Sequence, residues 1–575
     1  MTDPLEAVIE RLRPAFEHVA GRPDVDPVVR PSDRADCQAN GALALAKELG
    51  RKPRDVADAI VAAADLDGVA EAEVAGPGFI NLTLRAEFVG ALVAEVAADP
   101  RLGLVPAVNP ERVVIDYSAP NVAKEMHIGH LRTTVIGDAL VRMFSAVGHD
   151  VVRENHIGDW GRPFGMLIQH LAELGPERAG PMELGDLDAF YKEATTKFEH
   201  DEAFQQRARE RVVRLQQRDA ETIELWKMLV AQSAGHWNEV YAKLQVLLTD
   251  DDLAGESRYE ALMPDVLERL DAAGLLQESD GALVVFPPGF TNREGEPLPL
   301  IVRSRAGAFT YATSDLACVL DRVERVKATR LLYVVDAGQA QHLQMVFAVA
   351  EMVGWLVPPV RAEHVSFGVI LGTDRRRLRS RTGEPVRFIS VIDEAIERGV
   401  AAVADKNPDL PEATRIEVGT AIGVGAIKYA DLSTDRVRDY VFDWERMLSF
   451  DGNTAPYLQY AHARICSIFR RAGLEPSTVR DTVPTLTEPQ ERQLAMTLLG
   501  FGTALAEAVE RTSPHRLTNY LYALASDFTA FYEHCPVLRA PDANTRASRL
   551  ALSDVTARVL ASGLQLLGIE APEQM

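Results

Sequence analysis

The chain has 575 residues, 47% hydrophobic and 25% charged, which supplies apolar material for several packed cores and about three or four domains. Its net charge of −23 argues against a general nucleic-acid binder, a role that needs clustered cations to release counterions from phosphate. The four cysteines, Cys37, Cys318, Cys466 and Cys535, stand far apart with no Cys-x-x-Cys pair, so neither a zinc site nor a disulfide framework is expected.

The N-terminus, Met1-Thr2-Asp3-Pro4-Leu5-Glu6, carries acids where a signal peptide needs a basic start. No apolar stretch approaches the ~18 residues of a membrane span, so a cytoplasmic protein without membrane contact is expected. Residues 1–108 read as a mixed α/β unit: a helix over Leu5 to Val19, another around Ala39 to Leu49, and a strand at Phe79 to Leu84. From 109 to 400, strand and helix signals alternate as in a doubly wound, Rossmann-like parallel sheet. Val113 to Ile115 predict its first buried strand, and Leu331 to Val335 and Val365 to Ile370 predict two more. Leu131, Val135, Leu140, Phe144 and Val147 recur near helical spacing and place a helix start at or near Gly129. An insertion at about 180–300 combines a charged helical stretch, Phe198 to Leu247, with a strand at Ala282 to Phe286. Residues 401–455 read as a helical connecting region and 456–575 as an all-α bundle, because strand signals vanish there. The fold class is α/β with these added domains.

The junction between the first strand and its helix, Ile115-Asp116-Tyr117-Ser118-Ala119-Pro120-Asn121-Val122-Ala123-Lys124-Glu125-Met126-His127-Ile128-Gly129-His130, carries the chemistry. First-turn amides have no intrahelical partner and favour a phosphate. Gly129, lacking a Cβ, would let a purine ring lie against the backbone. His127 and His130 can donate hydrogen bonds to an α-phosphate as charge builds on it. Taken alone, His-x-Gly-His is also compatible with two surface histidines.

In this context the passage resembles the HIGH signature of class I aminoacyl-tRNA synthetases, in the form found in arginyl-tRNA synthetases. The resemblance continues through Asn155-His156-Ile157-Gly158-Asp159-Trp160-Gly161, Tyr311-Ala312-Thr313-Ser314-Asp315-Leu316-Ala317 and Tyr429-Ala430-Asp431-Leu432-Ser433. It also takes in Gly452 to Tyr460 and Phe531-Tyr532-Glu533-His534-Cys535-Pro536-Val537, so nearly the whole length is covered in order. It implies an arginine–tRNA ligase that forms an arginyl-adenylate from ATP, accompanied by Mg2+ and without zinc. The partners implied are the cognate tRNA, L-arginine and ATP; a monomer is expected, and activation is expected to need bound tRNA.

The resemblance also implies residue roles. His127, His130 and Gly129 serve ATP, with Val369 and Ile370. The family's mobile KMSKS loop maps to Arg377-Leu378-Arg379-Ser380-Arg381-Thr382-Gly383, where no lysine remains and Ser380 stands at the usual second lysine. Arg379 and Arg381 are the candidates there, and Lys124, just upstream of the histidines, maps to a lysine thought to replace the missing charge. A lysine is a compact point charge suited to a pyrophosphate oxygen, although Lys124 could equally be a solvated surface cation. Asp116 and Asp315 map to the carboxylates that grip the forked guanidinium, with Tyr311 packing or bonding beside it, Gln339 at another substrate contact, and Ser118 and Asn121 on the substrate's backbone groups. By spacing alone Asp315 reads as a helix N-cap. Phe79 and Asn81 map to a D-loop contact, or Phe79 is a core residue. Tyr457, Tyr460 and Arg464 share one helical face and map near the anticodon loop, or form a packing stripe. The ending, Leu566 to Met575, resembles the family's usual one near the anticodon.

Two rivals remain open. A small-metabolite nucleotidyltransferase of the same superfamily would be short and lack the helical last third. A non-catalytic tRNA-binding paralogue would be expected to have lost His127, His130 or the carboxylates, and all are present.

Overall fold

A computed structural model of the chain describes residues 3–175, 186–379 and 386–575. The first helix, Pro4–Ala20, starts where the Asp3 carboxylate accepts the amides of Leu5 and Glu6, and ends at Gly21, whose φ of 68° a residue with a Cβ would resist. It packs with helices Gly41–Leu49 and Pro53–Ala63 on a four-stranded antiparallel sheet in the order Val29–Pro31, Cys37–Ala39, Phe79–Leu84, Ala70–Ala75. The sequence reading began the second helix at Ala39, which instead ends strand Cys37–Ala39, because Ala39 continues the helix's apolar pattern. Along Phe79–Leu84, Ile80, Leu82 and Leu84 enter the core, so Phe79, Asn81 and Thr83 share the other face.

The central sheet is parallel, in the order Arg361–His364, Arg330–Tyr333, Arg112–Asp116, Asp150–Glu154. Val113 and Ile115 pack into one core and Val114 into another, which is why the first strand is apolar throughout rather than alternating. Helix Gly129–Ala146 follows it, starting where the apolar spacing placed it. Val365 to Val369 form no continuous strand, contrary to the reading from their hydrophobicity: the Val365 amide donates to the Tyr333 carbonyl, the Ala337 amide to the Phe367 carbonyl, and Phe367 makes one isolated parallel bridge to Asp336. That segment has left strand Arg361–His364 and crosses towards the C-terminal part, so close that a Cβ on Gly368 would lie 2.7 Å from the Arg438 carbonyl carbon. Ile370–Leu371 forms a strand again, in parallel with Tyr440–Val441, a two-residue strand in a region read as wholly helical.

The insertion holds helices Asp186–His200, Glu202–Gln216 and Ala220–Leu244, then a three-stranded antiparallel sheet, Gln277–Ser279, Ala282–Val285 and Leu300–Arg303, of which the sequence had suggested one strand. Beyond it, helices Phe388–Lys406 and Glu412–Leu432 lie against each other through glycines: a Cβ on Gly399 would stand 2.2 Å from the Gly419 carbonyl oxygen. Helices Ala455–Ala472, Pro489–Leu499, Phe501–Glu510, His515–His534 and Ala543–Leu566 complete the C-terminal bundle. Among the described residues no helix is long and apolar enough to cross a membrane.

Candidate active site

The chain leaves strand Arg112–Asp116 towards Asp150–Glu154 and leaves its neighbour Arg330–Tyr333 towards Arg361–His364, in opposite directions across the sheet. The carboxyl ends of these two strands therefore flank the crevice where doubly wound sheets take ligands. Between the first strand and its helix, Ser118, Ala119 and Ala123 all hold positive φ, at 72°, 49° and 59°. Such strain persists only where the surroundings over-determine it. The Ser118 amide donates to Thr133 Oγ1 at 3.0 Å, the Ala119 amide to Asn155 Oδ1 at 3.0 Å and the Ala123 amide to Ser233 Oγ at 2.9 Å. Three separate elements thus pin the loop.

At its end the two imidazoles lie 4.2 Å apart between ring centres. The Gly129 amide donates to His127 Nδ1 at 3.0 Å and the His127 amide to His130 Nδ1 at 3.2 Å. An Nδ1 that accepts carries no proton, so each neutral ring keeps its hydrogen on Nε2, the form that saves a donor for a ligand. His130 Nδ1 also lies 3.2 Å from the His127 carbonyl oxygen, an interaction open to the other tautomer; accepting the amide requires the first. Burial pushes His127 below the ordinary histidine range and His130 down to about 4, so both are uncharged at neutral pH. The absence of a Cβ on Gly129 also makes room for His127, since that Cβ would sit 2.7 Å from His127 Cε1.

Residues Met126 to Ile128 pair with Val386 to Phe388 through amides of Ile128 and Phe388, so the histidines are tied to the segment that follows the arginine loop. Arg387 adds an ion pair with Glu125 at 2.9 Å. The arginine loop begins as a hairpin in which the Gly372 amide donates to the Arg376 carbonyl and the Leu378 amide to the Ile370 carbonyl. Arg376, Arg377 and Arg379 line a cavity of about 740 Å3 with Phe442 and Trp444. Arg381, like Ser380, lies outside the described residues. Lys124 is exposed, its Nζ 4.5 Å from the centre of the Tyr191 ring on the insertion. The Val369 amide donates to Asp439 Oδ1 and the Val369 carbonyl accepts from Tyr440, so the backbone of Val369 and Ile370 is engaged with the C-terminal part.

The two acids differ sharply. Asp116 is buried and paired with Arg322, Nη2 to Oδ2 2.8 Å, and Arg322 also holds Glu154 at 2.7 Å. Asp315 stays accessible and meets His342 Nε2 at 2.5 Å. It is no N-cap: helix Tyr311–Glu324 begins four residues earlier, with Thr310 in the cap position, which removes the capping role that spacing favoured. Tyr311 is exposed beside it, as is Gln339 in the short turn ahead of helix Ala340–Met352. Asn121 is exposed next to Gly158, where a Cβ would meet its Oδ1 at 2.5 Å. Ser118 is spent internally instead: its hydroxyl lies 2.7 Å from Tyr241 Oη and 3.1 Å from Thr134 Oγ1, and it is 1% exposed.

Residues 93–444 match the family of class I (R) tRNA synthetase catalytic domains, residues 458–575 the DALR anticodon binding domain and residues 5–84 the arginyl tRNA synthetase N-terminal domain. An arginine–tRNA ligase of Thermobifida fusca (strain YX) is 52% identical, covering 100% of both chains. The chain belongs to the arginyl-tRNA synthetase family. The crystal structure of the Plasmodium falciparum arginyl-tRNA synthetase superposes with a TM-score of 0.84 at 26% identity, covering 99% of each chain. That of Thermus thermophilus gives 0.79 at 28% identity, covering 99% of this chain and 100% of the other.

In this arginyl-tRNA synthetase, Phe79 lies half-buried on the outward face of its strand, outside the hydrophobic core, against Gly76. Asn81 beside it accepts from Gln38 Nε2 at 2.7 Å. The stripe on helix Ala455–Ala472 divides. Tyr457 packs inward, its hydroxyl 3.2 Å from Thr529 Oγ1 and its ring against Tyr522. Tyr460 and Arg464 line a groove of about 730 Å3 with Arg471, Arg539 and Met575, the Arg464 guanidinium lying over the Tyr460 and Tyr532 rings. Sequence reasoning missed Arg322, Glu154, Tyr241 and His342. Arg322 alone left a trace, as a cation that follows the apolar run Leu316 to Leu320 on its helix.

Proposed function

We propose that this synthetase joins the carboxylate of L-arginine to the α-phosphate of ATP, expelling pyrophosphate, and then passes the arginyl group to the terminal ribose hydroxyl of its tRNA, releasing AMP. What carries the reading is the pair of uncharged imidazoles at the head of helix Gly129–Ala146, beside the carboxyl edge of the parallel sheet. His127 and His130 donate to the α-phosphate oxygens as charge grows there, and first-turn amides add to the field. Lys124, Arg379 and Arg381 take the departing pyrophosphate. Asp315 is the acid that meets the substrate guanidinium, with Tyr311, Gln339 and Asn121 around it; Asp116 and Ser118 hold the pocket from behind.

Magnesium belongs with the nucleotide. The described residues gather no set of three histidine, cysteine, aspartate or glutamate side chains able to hold a cation, whereas a magnesium ion bound through ATP's own phosphates needs no protein cage. The tRNA lies along the outward face bearing Phe79 and Asn81 and reaches the groove of Tyr460 and Arg464, and its binding completes the arginine pocket.

A charging assay with each of the twenty amino acids tests the substrate assignment, with arginine expected to be the one transferred. Arginine-dependent ATP–pyrophosphate exchange, run with and without tRNA, tests the coupling. Rapid exchange without RNA would refute it.

A further inference from the structure

Asp315, the acid set against the substrate guanidinium in the proposed reading, has a keeper of its own. Asp315 projects from helix Tyr311–Glu324 and His342 from the first turn of the neighbouring helix Ala340–Met352, with Nε2 2.5 Å from Oδ2. The same imidazole lies against the Tyr311 ring, centroids 4.7 Å apart and planes inclined by 51°. One side chain therefore touches both residues assigned to the guanidinium, and it follows Gln339 by one helical turn. His342 is 16% exposed and Asp315 25%, so both border the pocket without being free in solvent.

We infer that His342 is a positioning residue that sets amino-acid specificity, by fixing the rotation of the Asp315 carboxylate and backing Tyr311 so that a planar, forked cation is met in one orientation.

The torsion that turns a carboxylate about its last bond is soft, so an unheld Asp315 would sample many planes. A guanidinium forms two parallel bonds only when its plane and the carboxylate's coincide. An ammonium is a point charge and gains little from that orientation. Holding Asp315 still therefore favours arginine over lysine at nearly equal charge. A carboxylate offers about four lone-pair sites, so the bond to His342 leaves enough for the substrate.

This inference rests on the arginine-ligase reading, and the test separates the two. Wild type, His342→Ala and His342→Gln are compared in ATP–pyrophosphate exchange with tRNA present, using arginine and then lysine. His342→Ala is expected to raise KM for arginine about tenfold, the worth of one hydrogen bond to a charged group, with kcat changed less than about threefold. The preference for arginine over lysine should fall by a similar factor, and His342→Gln, whose amide can donate to Oδ2, should recover most of both. Unchanged KM and preference in His342→Ala would overturn the inference, as would equal loss of kcat in both variants. If His342→Ala does not fold, His342→Phe keeps a ring against Tyr311 but cannot donate; a raised KM supports the role and an unchanged one overturns it. A wild-type enzyme that ignores arginine would instead defeat the arginine-ligase reading.

Discussion

Arg322 crosses from its helix to Asp116 at the end of the first parallel strand, Nη2 to Oδ2 2.8 Å, with no solvent-exposed surface of its own. Its Nε holds Glu154 at 2.7 Å, and the guanidinium lies 4.6 Å from the centre of the Tyr333 ring. Three adjacent elements of the nucleotide-binding core are thereby clamped by one cation.

Removing that cation strands two buried acids. Arg322→Met is expected to cost about 3–5 kcal/mol, because breaking a buried pair leaves uncompensated charge. Urea unfolding measures it, and a loss below about 1 kcal/mol would mean that the carboxylates are reached by water.

The histidine pair has a pH signature. Since burial lowers His130 to about 4, unfolded chains take up a proton below the ordinary value near 6.5 while the native site does not. The stability contributed by this depressed group is complete above about 6.5 and is lost as pH falls towards 4. Urea midpoints of wild type and His130→Gln should therefore converge between those values. In the exchange assay His130→Ala should lose on the order of 10² to 10³ in rate, the cost of one transition-state donor, and His130→Gln less because its amide retains an N–H.

Lys428 tests how the modules are joined. Fully buried, it donates to the carbonyl oxygens of Leu244 and Gly568 at 2.5 and 2.6 Å, at the C-terminal ends of two helices from different parts of the chain. Helix C-termini carry partial negative charge, so an ammonium suits the place. Gly568 has φ 67°, and a Cβ there would come within 2.7 Å of Lys428 Nζ. Gly568→Ala should destabilise by about 1–3 kcal/mol in thermal unfolding, because an added Cβ strains the positive φ as well as meeting Lys428; a loss below about 0.5 kcal/mol would break the argument.

The RNA-facing residues should separate cleanly. Phe79→Ala and Arg464→Ala are expected to raise KM for tRNA about 5- to 100-fold, the range of one lost base stack or cation contact, without changing KM for ATP. Tyr457→Phe should leave KM for tRNA unaltered, because its hydroxyl faces Thr529 inside the bundle. A tRNA effect of Tyr457→Phe equal to that of Arg464→Ala would restore the undivided stripe.

Much of this molecule was legible before folding was considered. The apolar run Val113 to Ile115, the spacing from Leu131 to Phe144 and the motif order already implied a parallel core, a helix starting at Gly129 and the arginyl-tRNA synthetase family, because strand burial and helical periodicity are local properties of the chain. Partnerships were not legible. That Asp116 is taken by Arg322, 206 residues away, that His342 holds Asp315, and that His127 fills the space above Gly129 depend on which side chains arrive from distant elements. A sequence names each charge, but only packing decides which opposite charge lies within hydrogen-bonding distance, since burial makes an unpaired partner costly.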